Sequence, residues 1–311
     1  MDIVIDLIIL IGLLVLGVPV PFCFMAAVLF MIVLHGYSFE FLLPVAFFSL
    51  NSLTLLAVPF FIMAGGLMSS SGIAERLVNI ASALVGRVKG GLGGATVVAS
   101  AIFGAVAGTC SAAVAAIGAI MIPRMEAEGF PRGHATGLVA CASVLGQLIP
   151  PSVPMILFGW VTRTSIAACF LATVGPGILL VIIYGFINWW MCRRIPSIKV
   201  PPPVSPWQQT KEVGRASYRG FFALLAPLII LGGIYSGLTT PTESATLVVL
   251  YTIPVGFLIY RSMTVRDVGR TLFTTATTTG VVILLLFFVM MLGRIYTMEN
   301  VPQRLIGMMV G

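Results

Sequence analysis

A run of small polar residues, Gly108-Thr109-Cys110-Ser111, interrupts the apolar segment 104–118. A second interruption follows at 146–152, where Pro150 and Pro151 are consecutive. Consecutive prolines remove backbone donors and prevent a helix from continuing undisturbed. The carbonyl oxygens that such breaks release, together with threonine and serine hydroxyls, are hard ligands for a cation. The two interruptions therefore predict a binding site that is built from oxygen atoms.

The helix ends on either side of the two breaks indicate what such a site binds. A helix C-terminus carries partial negative charge and suits a cation, whereas a helix N-terminus suits a carboxylate. A cage of neutral oxygens fits Na⁺ better than a divalent metal ion, which would require carboxylate ligands. Broken helices within a membrane are typical of transport sites, but spacing alone does not specify the ion.

The composition indicates the class of protein that contains these breaks. The chain has 311 residues, of which 59% are hydrophobic and 9% charged, and its mean hydropathy is +1.11. A soluble domain carries about 25% charged residues, so we interpret the chain as an all-α, multi-pass membrane protein. The five cysteines show no CxxC spacing and are expected to act as small apolar residues. His35 and His134 have no partner at metal-ligand spacing and are expected in loops.

Long apolar runs predict the membrane spans. We interpret residues 3–34 as a first transmembrane helix with a kink at 17–19, where glycine and proline are close together. Residues 38–50 are expected to lie at the membrane interface. Further spans are predicted at about 52–70, 135–161, 166–192, 220–237, 243–260 and 272–293.

The segment that contains the polar run is too short on each side to cross a membrane twice. Residues 92–106 and 112–123 are its two apolar halves, and a full span needs roughly 20 residues. Both outer flanks are basic. We therefore predict a re-entrant helical hairpin over about 92–123, with its tip near the middle of the bilayer. The alternative is one long helix with a packing face of small residues.

The distribution of basic residues predicts the orientation. Fourteen of the 17 lysines and arginines fall into four loops, at 71–91, 122–134, 193–219 and 261–270. This asymmetry places the four loops on the cytoplasmic side, and it favours the hairpin because a full crossing would separate the first two loops. The basic residues do not form a stripe with interleaved aromatic residues, so nucleic acid is excluded as a partner.

The chain divides by pattern into two halves and a linker. Residues 1–192 contain scaffold helices, the hairpin and a broken helix at about 135–161. Residues 193–219 hold six basic residues and a triple proline, and we expect them to form a cytoplasmic amphipathic arm that contacts anionic lipids. Residues 220–311 resemble the start of a second, inverted repeat, because "TTPTESATLVVLYTIPV" weakly echoes "GVPVPFCFMAAVLFMIV" near the N-terminus.

One carboxylate follows a Thr-Pro-Thr sequence and permits two interpretations. Glu243 could contact a proton or a substrate within the membrane. The favoured interpretation is structural, in which its carboxylate caps the first turn of the helix at 243–260.

Four stretches resemble the large membrane subunit of the TRAP transporters, the DctM family. They are "LLAVPFFIMAGGLM" at 55–68, "GRVKGGLGGATVVASAIFGAVAGTCSA" at 86–112, "IPPSVPMILFG" at 149–159 and "GGIYSGLTTPTESAT" at 232–246. The resemblance is collinear over essentially the whole chain. It implies an elevator-type, Na⁺-driven importer of organic acids such as C4-dicarboxylates, located in the bacterial inner membrane. It also implies two partners, a small DctQ-like membrane subunit and a periplasmic DctP-like substrate-binding protein.

The resemblance assigns roles to the two interruptions. They would form one sodium site and half of the substrate site. The expected sodium ligands are Ala107, Gly108, Thr109, Cys110, Ser111, Gly146 and Pro150. The expected substrate contacts are Thr109, Ser111, Pro151 and Ser152.

The chain departs from the family pattern in two respects. The family usually has Ser-Gly-Ser-Ser at the tip, where this chain has Ala107-Gly108-Thr109-Cys110, and many members have Asp or Thr at the position of Ala113. Side-chain ligands are therefore fewer, and backbone carbonyls are expected to carry more of the coordination. Family members also continue well beyond the position of Gly311, with a second hairpin and a second proline break, so a C-terminal truncation is expected.

Other function classes receive less support. A carboxylate/sodium symporter that needs no binding protein is the alternative among transporters. An intramembrane enzyme would require a catalytic pair at depth, and the sequence has no intramembrane Asp pair, no HExxH and no Ser–His arrangement. We therefore do not expect an enzyme or a bound cofactor other than the coupling ion.

Overall fold

The computed structural model describes residues 2–85, 88–199 and 206–310, and these ranges contain helices and no strands. In chain order the helices are α1 (Asp2–Val15), α2 (Val20–His35), α3 (Phe39–Leu50), α4 (Ala57–Ser70), α5 (Ile73–Val85), α6 (Gly91–Ala107), α7 (Cys110–Ala127), α8 (Arg132–Ala142), α9 (Leu145–Leu148), α10 (Val153–Thr162), α11 (Ile166–Arg193), α12 (Pro206–Arg219), α13 (Phe221–Tyr235), α14 (Pro241–Pro254), α15 (Val265–Met298) and α16 (Val301–Val310). A 3₁₀ turn at Leu53–Leu56 precedes α4, and a π turn at Val255–Ile259 extends α14. The all-α, multi-pass prediction is confirmed.

Helix length and composition identify the elements that can cross a membrane. Six helical stretches in the described residues satisfy both criteria. They are Leu53–Ser70, Cys110–Ala127, Arg132–Thr162, Ile166–Arg193, Pro241–Ile259 and Val265–Met298. The helices α12 and α13 satisfy the criteria only as a pair, which is bent by 72°.

The chain forms two compact units, one of Met1–Ser52 with Ala276–Gly311 and one of Leu53–Thr275. The first unit begins with two helices that pack against each other, α1 and α2. Asp2 Oδ2 at the start of α1 lies 3.7 Å from His35 Nε2 at the end of α2. Gly17 between them has a left-handed φ of 82°, a conformation that ends a helix and reverses the chain. The prediction of one kinked span over 3–34 is therefore wrong.

Polar contacts join α1 and α2 to the C-terminal part of the first unit. The hydroxyl of Tyr296 donates a hydrogen bond to Oδ2 of the buried Asp6 at 2.6 Å. At the next turn the hydroxyl of Tyr37 donates to Glu299 Oε1, which also lies 3.4 Å from His35 Nδ1. These contacts fix the position of Tyr296 and Glu299 against the N-terminal helices of this unit.

The second unit is organised around α6. This helix consists mainly of glycine, alanine and valine, and nearly all its residues are buried, including Phe103. Small residues allow helices to approach closely, and α6 packs against α4, α5, α7, α8, α9 and α11. The hairpin segment is thus a central element of this unit.

The predicted basic loops meet at one end of the second unit. Arg124 Nη1, near the end of α7, donates to Asn79 Oδ1 on α5 at 2.8 Å. Lys199 Nζ, in the linker, donates to the carbonyl oxygen of Ala127 at 3.2 Å. These contacts bring the loops at 71–91, 122–134 and 193–219 together.

The fourth basic loop reaches the same end of this unit. Its residue Ser262 lies against Gly72, where a Cβ on the glycine would stand 2.8 Å from the serine Oγ. The four loops therefore share one end, as the charge pattern requires. The assignment of this end to the cytoplasm stays a prediction.

A buried polar group closes the base of the hairpin. Asn188 on α11 donates from Nδ2 to the carbonyl oxygen of Gly90 at 3.0 Å. Its Oδ1 lies 3.1 Å from His134 Nε2 and accepts from the Cys192 thiol at 3.4 Å. The expectation that His134 lies in a loop is wrong, because the residue belongs to the first turn of α8. A polar imidazole is accommodated there by the asparagine partner.

The second histidine also lies in a helix. His35 is the last residue of α2, next to the left-handed Gly36 that ends the helix. The expectation of a loop position is therefore wrong for His35 as well, because the helix continues to the glycine that terminates it.

The structural interpretation of Glu243 is confirmed. Its carboxylate accepts from the backbone N–H of Thr240 at 2.7 Å, and the Thr240 hydroxyl accepts from the N–H of Glu243 at 3.3 Å. This reciprocal pair is a capping box at the start of α14.

The linker contains an exposed amphipathic helix, α12, that packs along α5. Gln209 Nε2 donates to the carbonyl oxygen of Leu84 at 3.4 Å, and Gly220 lies against Ile80. The part of the linker at 200–205, with the triple proline, lies outside the described residues. The division into repeats and linker at 192 and 219 stays a prediction.

Candidate functional site

The helix α6 ends at the predicted polar run. Gly108 adopts a left-handed conformation, with φ 64° and ψ 5°, and its N–H donates to the carbonyl oxygen of Gly104 at 3.2 Å. Thr109 is extended and its Oγ1 accepts from the N–H of Ala112 at 3.4 Å, so it is the N-cap of α7. Glycine supplies the turn at no steric cost and threonine starts the next helix, which explains why a two-residue break suffices.

The helix α7 is longer than the sequence pattern predicts. Pro123 lies inside the helix and does not end it, so α7 runs for 18 residues to Ala127. This length satisfies the criterion for a membrane span. The first turn of α7 can therefore reach the middle of a bilayer, but the re-entrant path over 92–123 stays a prediction. The helices α6 and α7 are antiparallel, because Thr96 Oγ1 near the start of α6 lies 3.4 Å from the sulfur of Met125 near the end of α7.

The second break lies between α9 and α10. The carbonyl oxygens of Gly146 and Gln147 would normally accept from the N–H groups four residues later. Those positions are Pro150 and Pro151, which have no N–H group. The chain is extended at Ser152 and the next helix begins at Val153. The sequence thus leaves two carbonyl oxygens without helical donors at this place.

The two breaks are in direct contact. The carbonyl oxygen of Gly108 accepts a hydrogen bond from the N–H of Val153 at 3.2 Å. A Cβ placed on Gly108 would stand 3.0 Å from the carbonyl oxygen of Pro151, and one placed on Gly146 would stand 3.0 Å from that of Thr109. The glycines are required because any side chain at these positions would separate the two breaks.

Four helix ends therefore meet at this point. α6 and α9 contribute their C-termini, and α7 and α10 contribute their N-termini. In the described chain no backbone donor reaches the carbonyl oxygens of Ala105, Val106 and Ala107, which belong to the unsatisfied last turn of α6. The negative ends of two helix dipoles and several free carbonyl oxygens can hold a cation, and the positive ends can hold an anionic group.

The charge of the site limits which ion it can hold. Among the described residues no group of three or more His, Cys, Asp or Glu side chains is placed to bind a metal ion. Such side chains are typical of sites for transition metals and tightly bound divalent ions. The chemistry of the neutral oxygen donors fits a weakly held monovalent cation.

The predicted site residues differ in how closely the structure brings them together. Backbone atoms of Gly108, Thr109, Gly146 and Pro151 lie within the contact region described above. The predicted residues that are buried are Ala107, Gly108, Gly146, Pro150, Pro151 and Ser152. Cys110 is half-buried and Ser111 is exposed.

Ser152 has a hydroxyl that is free to bind a ligand. Its side chain is fully buried, and its Oγ has no hydrogen-bond partner among the described residues. It occupies the N-cap position of α10 without capping the helix. A buried unsatisfied hydroxyl is costly unless something else binds it, which supports the prediction of a substrate contact here.

Sequence reasoning missed the contribution of α4 to the site. A Cβ placed on Gly65 would stand 3.0 Å from the Cα of Ala107, so α4 touches the end of α6 directly. The signal available in the sequence was the Gly65-Gly66 pair within an apolar helix, which is typical of close helix packing. A third helix thus supports the tip of the hairpin.

Comparison with known proteins identifies the family. A family profile described as "Tripartite ATP-independent periplasmic transporter, DctM component" matches residues 7–311. The sialic acid TRAP transporter large permease protein SiaM of Vibrio cholerae is 36% identical over 295 residues, which cover 94% of this chain and 68% of the relative. The C4-dicarboxylate TRAP transporter large permease protein DctM of Pseudomonas aeruginosa is 36% identical over 252 residues, which cover 81% of this chain and 58% of the relative.

A third relative extends over more of the chain. The DctM protein of Rhodobacter capsulatus is 30% identical over 313 residues, which cover 95% of this chain and 70% of the relative. The matched part thus spans between 58% and 70% of the length of these three relatives. They are named as transporter permeases, which confirms the prediction that the chain is not an enzyme. The chain therefore belongs to the DctM component family of the tripartite ATP-independent periplasmic transporters, as a multi-pass protein of the bacterial inner membrane.

Proposed function

We propose that the chain is the large permease subunit of a secondary transporter that uses a sodium gradient to import organic acids. The observation that carries this proposal is the contact between the two helix breaks, in which Gly108 bonds to Val153. It collects free carbonyl oxygens and opposite helix ends in one place without any acidic side chain. Weak neutral ligands permit an ion to bind and to leave again, as a coupling ion must.

Sodium would be held mainly by backbone oxygens. The end of α6, at Ala107 and Gly108, and the break after α9, at Gly146 and Pro150, offer carbonyl groups. A carbonyl oxygen has two lone pairs, so that of Gly108 can bind an ion while it accepts from Val153. Thr109, Cys110 and Ser111 complete the proposed set.

The substrate would be bound beside the ion by its carboxylate. The N-termini of α7 and α10 attract anionic groups, and the proposed contacts Thr109, Ser111, Pro151 and Ser152 flank these two helix starts. Two relatives are named for sialic acid and for C4-dicarboxylates, which are both organic acids. A carboxylate is therefore the proposed recognition element, and a bound sodium ion would neutralise part of its charge.

The partners follow from the family. Such permeases work with a small membrane subunit and a soluble periplasmic binding protein, and we propose both for this chain. We further propose an elevator-type movement in which the hairpin and the proline break travel together, because their direct contact makes them one body. The alternative, a symporter that needs no binding protein, would show uptake with the membrane components alone.

The exposed face of α12 supports an interaction with anionic lipids. Trp207, Lys211, Arg215 and Tyr218 are all exposed and fall on one face of the helix. Aromatic residues at both ends with cations between them are typical of a helix that lies on a membrane surface. We propose this surface contact for the linker as a whole, with 193–219 on the cytoplasmic side.

Sodium binding can be tested on the isolated chain by thermal unfolding in detergent. A ligand that binds the folded state raises the melting temperature. We expect a higher melting temperature in NaCl than in KCl or choline chloride at the same ionic strength. Equal melting temperatures in the three salts would contradict sodium binding.

Transport requires the partner proteins. Uptake of radiolabelled organic acids should be measured in proteoliposomes that contain the chain together with the small membrane subunit encoded near it. We expect uptake only with an inward sodium gradient and with the soluble binding protein present. Uptake without the binding protein would favour the alternative symporter.

A further inference from the structure

A cavity of about 820 Å³ opens where the chain turns from α12 into α13. The two helices meet at Gly220 with a bend of 72°, so one lies across the other at the corner. α13 is an apolar helix, and α12 is amphipathic and exposed. Such a corner is found where a helix on the membrane surface continues into a helix that enters the bilayer.

The wall of this cavity combines cations with apolar and aromatic groups. α12 and α13 contribute one side, and α5 with the end of the π turn contributes the other. The lining residues are Glu75, Arg76, Asn79, Tyr218, Arg219, Phe221, Phe222, Ile259 and Tyr260.

The two arginines differ in how they are held. The guanidinium carbon of Arg76 lies 3.6 Å from the centre of the Tyr260 ring, and its Nη1 donates to the carbonyl oxygen of Gly72 at 2.8 Å. Arg76 is thus fixed in place with donors remaining. Arg219 is exposed and has no ion-pair partner within the described ranges. One cation is preorganised and the other is free to close on a ligand.

The single carboxylate in the wall does not cancel this charge. Glu75 Oε1 lies 3.8 Å from Arg124 Nη2, an arginine outside the cavity. The cavity is therefore an anion-binding surface with an apolar floor.

The apolar floor indicates that the anion carries a hydrocarbon chain. Phe221 is 54% exposed and Ile259 is 44% exposed, although both belong to apolar helical segments. These side chains would be shielded from water by an acyl chain that runs along α13, while the headgroup remains at the level of α12. A soluble anion would use the arginines and leave the aromatic and aliphatic surface uncovered.

We infer that this cavity, between Arg76 and Arg219 and above Phe221 and Ile259, binds the phosphate headgroup of an anionic phospholipid together with part of one acyl chain. The site goes beyond the proposed transport function and does not depend on sodium coupling. It also differs from the general attraction of the linker to lipids, because three of its four defining residues lie outside the linker. A lipid bound here would hold α12 and α5 together at the corner.

Native mass spectrometry of the purified 311-residue chain can test this site. The chain in detergent is titrated with phosphatidylglycerol, with phosphatidylcholine and with sn-glycerol 3-phosphate. We expect preferential retention of phosphatidylglycerol. Equal retention of phosphatidylcholine would overturn the proposal, and so would equally tight binding of glycerol phosphate, which would show a site for soluble anions.

Three variants separate the cavity from the rest of α12. Arg219→Gln removes the cation without a partner and is expected to weaken phosphatidylglycerol binding about fivefold. Arg76→Gln should weaken it at least as much. Lys211→Gln removes the same charge from α12 at a position that does not line the cavity. Because Lys211 belongs to the surface proposed to attract lipids unspecifically, this variant should weaken the binding much less than Arg219→Gln does. If Lys211→Gln and Arg219→Gln weakened phosphatidylglycerol binding equally, the proposed lipid site in the cavity would be overturned in favour of unspecific attraction to the surface of α12.

Discussion

Gly104 on α6 and Gly146 on α9 touch each other through their backbones. A Cβ on Gly104 would stand 2.6 Å from the Cα of Gly146 and 3.0 Å from its nitrogen. The atoms that the added Cβ would meet belong to the backbone of Gly146, so they cannot move aside by rotation of a side chain. The close approach of the hairpin to the proline break thus depends on the absence of one methyl group.

The first prediction concerns this contact. Gly104→Ala must push α6 and α9 apart, and overpacking of this kind costs about 1–3 kcal/mol. We expect a lower melting temperature and a loss of the stabilisation by sodium. The control is Gly137→Ala on α8, where no atom lies within 4 Å of the added Cβ. That variant should be neutral or slightly stabilising. A fully stable Gly104→Ala variant with unchanged sodium response would show that the contact is not needed.

The second prediction concerns the hydroxyl of Thr109. Thr109→Val preserves shape but removes one candidate ligand and the cap of α7. We expect the sodium concentration for half-maximal stabilisation to rise several-fold and the stability to fall by about 1 kcal/mol. Thr109→Ser retains the hydroxyl and should preserve both properties. If Thr109→Val loses stability but keeps its sodium midpoint, the side chain is only a cap and the ion is held by backbone oxygens.

The third prediction concerns the path of the hairpin. Single cysteines at Val88 and Glu126, in a background without the native cysteines, should react with an impermeant maleimide from the same side of the membrane. Both positions are exposed. A cysteine at Leu238, which is 83% exposed between α13 and α14, should react from the opposite side. Labelling of positions 88 and 126 from different sides would exclude the re-entrant hairpin.

The fourth prediction concerns pH. Burial raises the pKa of the Glu128 carboxyl above its ordinary value of 4.5, although the nearby Lys199 ammonium lowers it in part. The folded state therefore favours the protonated form. The contribution of this carboxyl to the free energy of unfolding is fully present below the ordinary pKa. It is lost as the pH rises through the raised pKa of the folded state.

Glutamine imitates the protonated carboxyl, so Glu128→Gln should melt at a higher temperature than the parent at neutral pH. The difference should disappear once the pH falls below the ordinary pKa. Glu126→Gln, at an exposed neighbour that pairs with Arg132 at 3.4 Å, serves as the control and should not raise the melting temperature at neutral pH. A Glu128→Gln variant that is less stable than the parent at neutral pH would mean that attraction to Lys199 outweighs burial.

Features that depend on local chemistry could be predicted well from the sequence. The break at Gly108 and Thr109 and the capping of α14 by Glu243 follow from glycine, proline and hydroxyl residues at particular spacings. Most of the membrane spans follow from apolar runs. These signals act over a few residues, and distant parts of the fold do not alter them.

Features that depend on packing are harder to predict. The sequence pattern ends a helix at Pro123, but α7 continues through this residue and packs against α4, α5, α6 and α8. The step at Gly17 predicts a kink and proves to be a reversal, because both use the same residue types. The contact of Gly65 with Ala107 joins helices that are distant in sequence, and no local pattern specifies such a pair.

The shared basic end of the second unit has a mechanical consequence. Placing one arginine or lysine at the centre of a bilayer costs about 2.5–3.5 kcal/mol on insertion scales. Arg76, Lys89, Arg124 and Lys199 all belong to the loops at that end, so drawing it into the hydrocarbon would cost several times that amount. Movement of this unit along the membrane normal is consequently limited in the direction that would draw the basic end into the bilayer. The limit arises from the cost of burying charge and needs no steric contact.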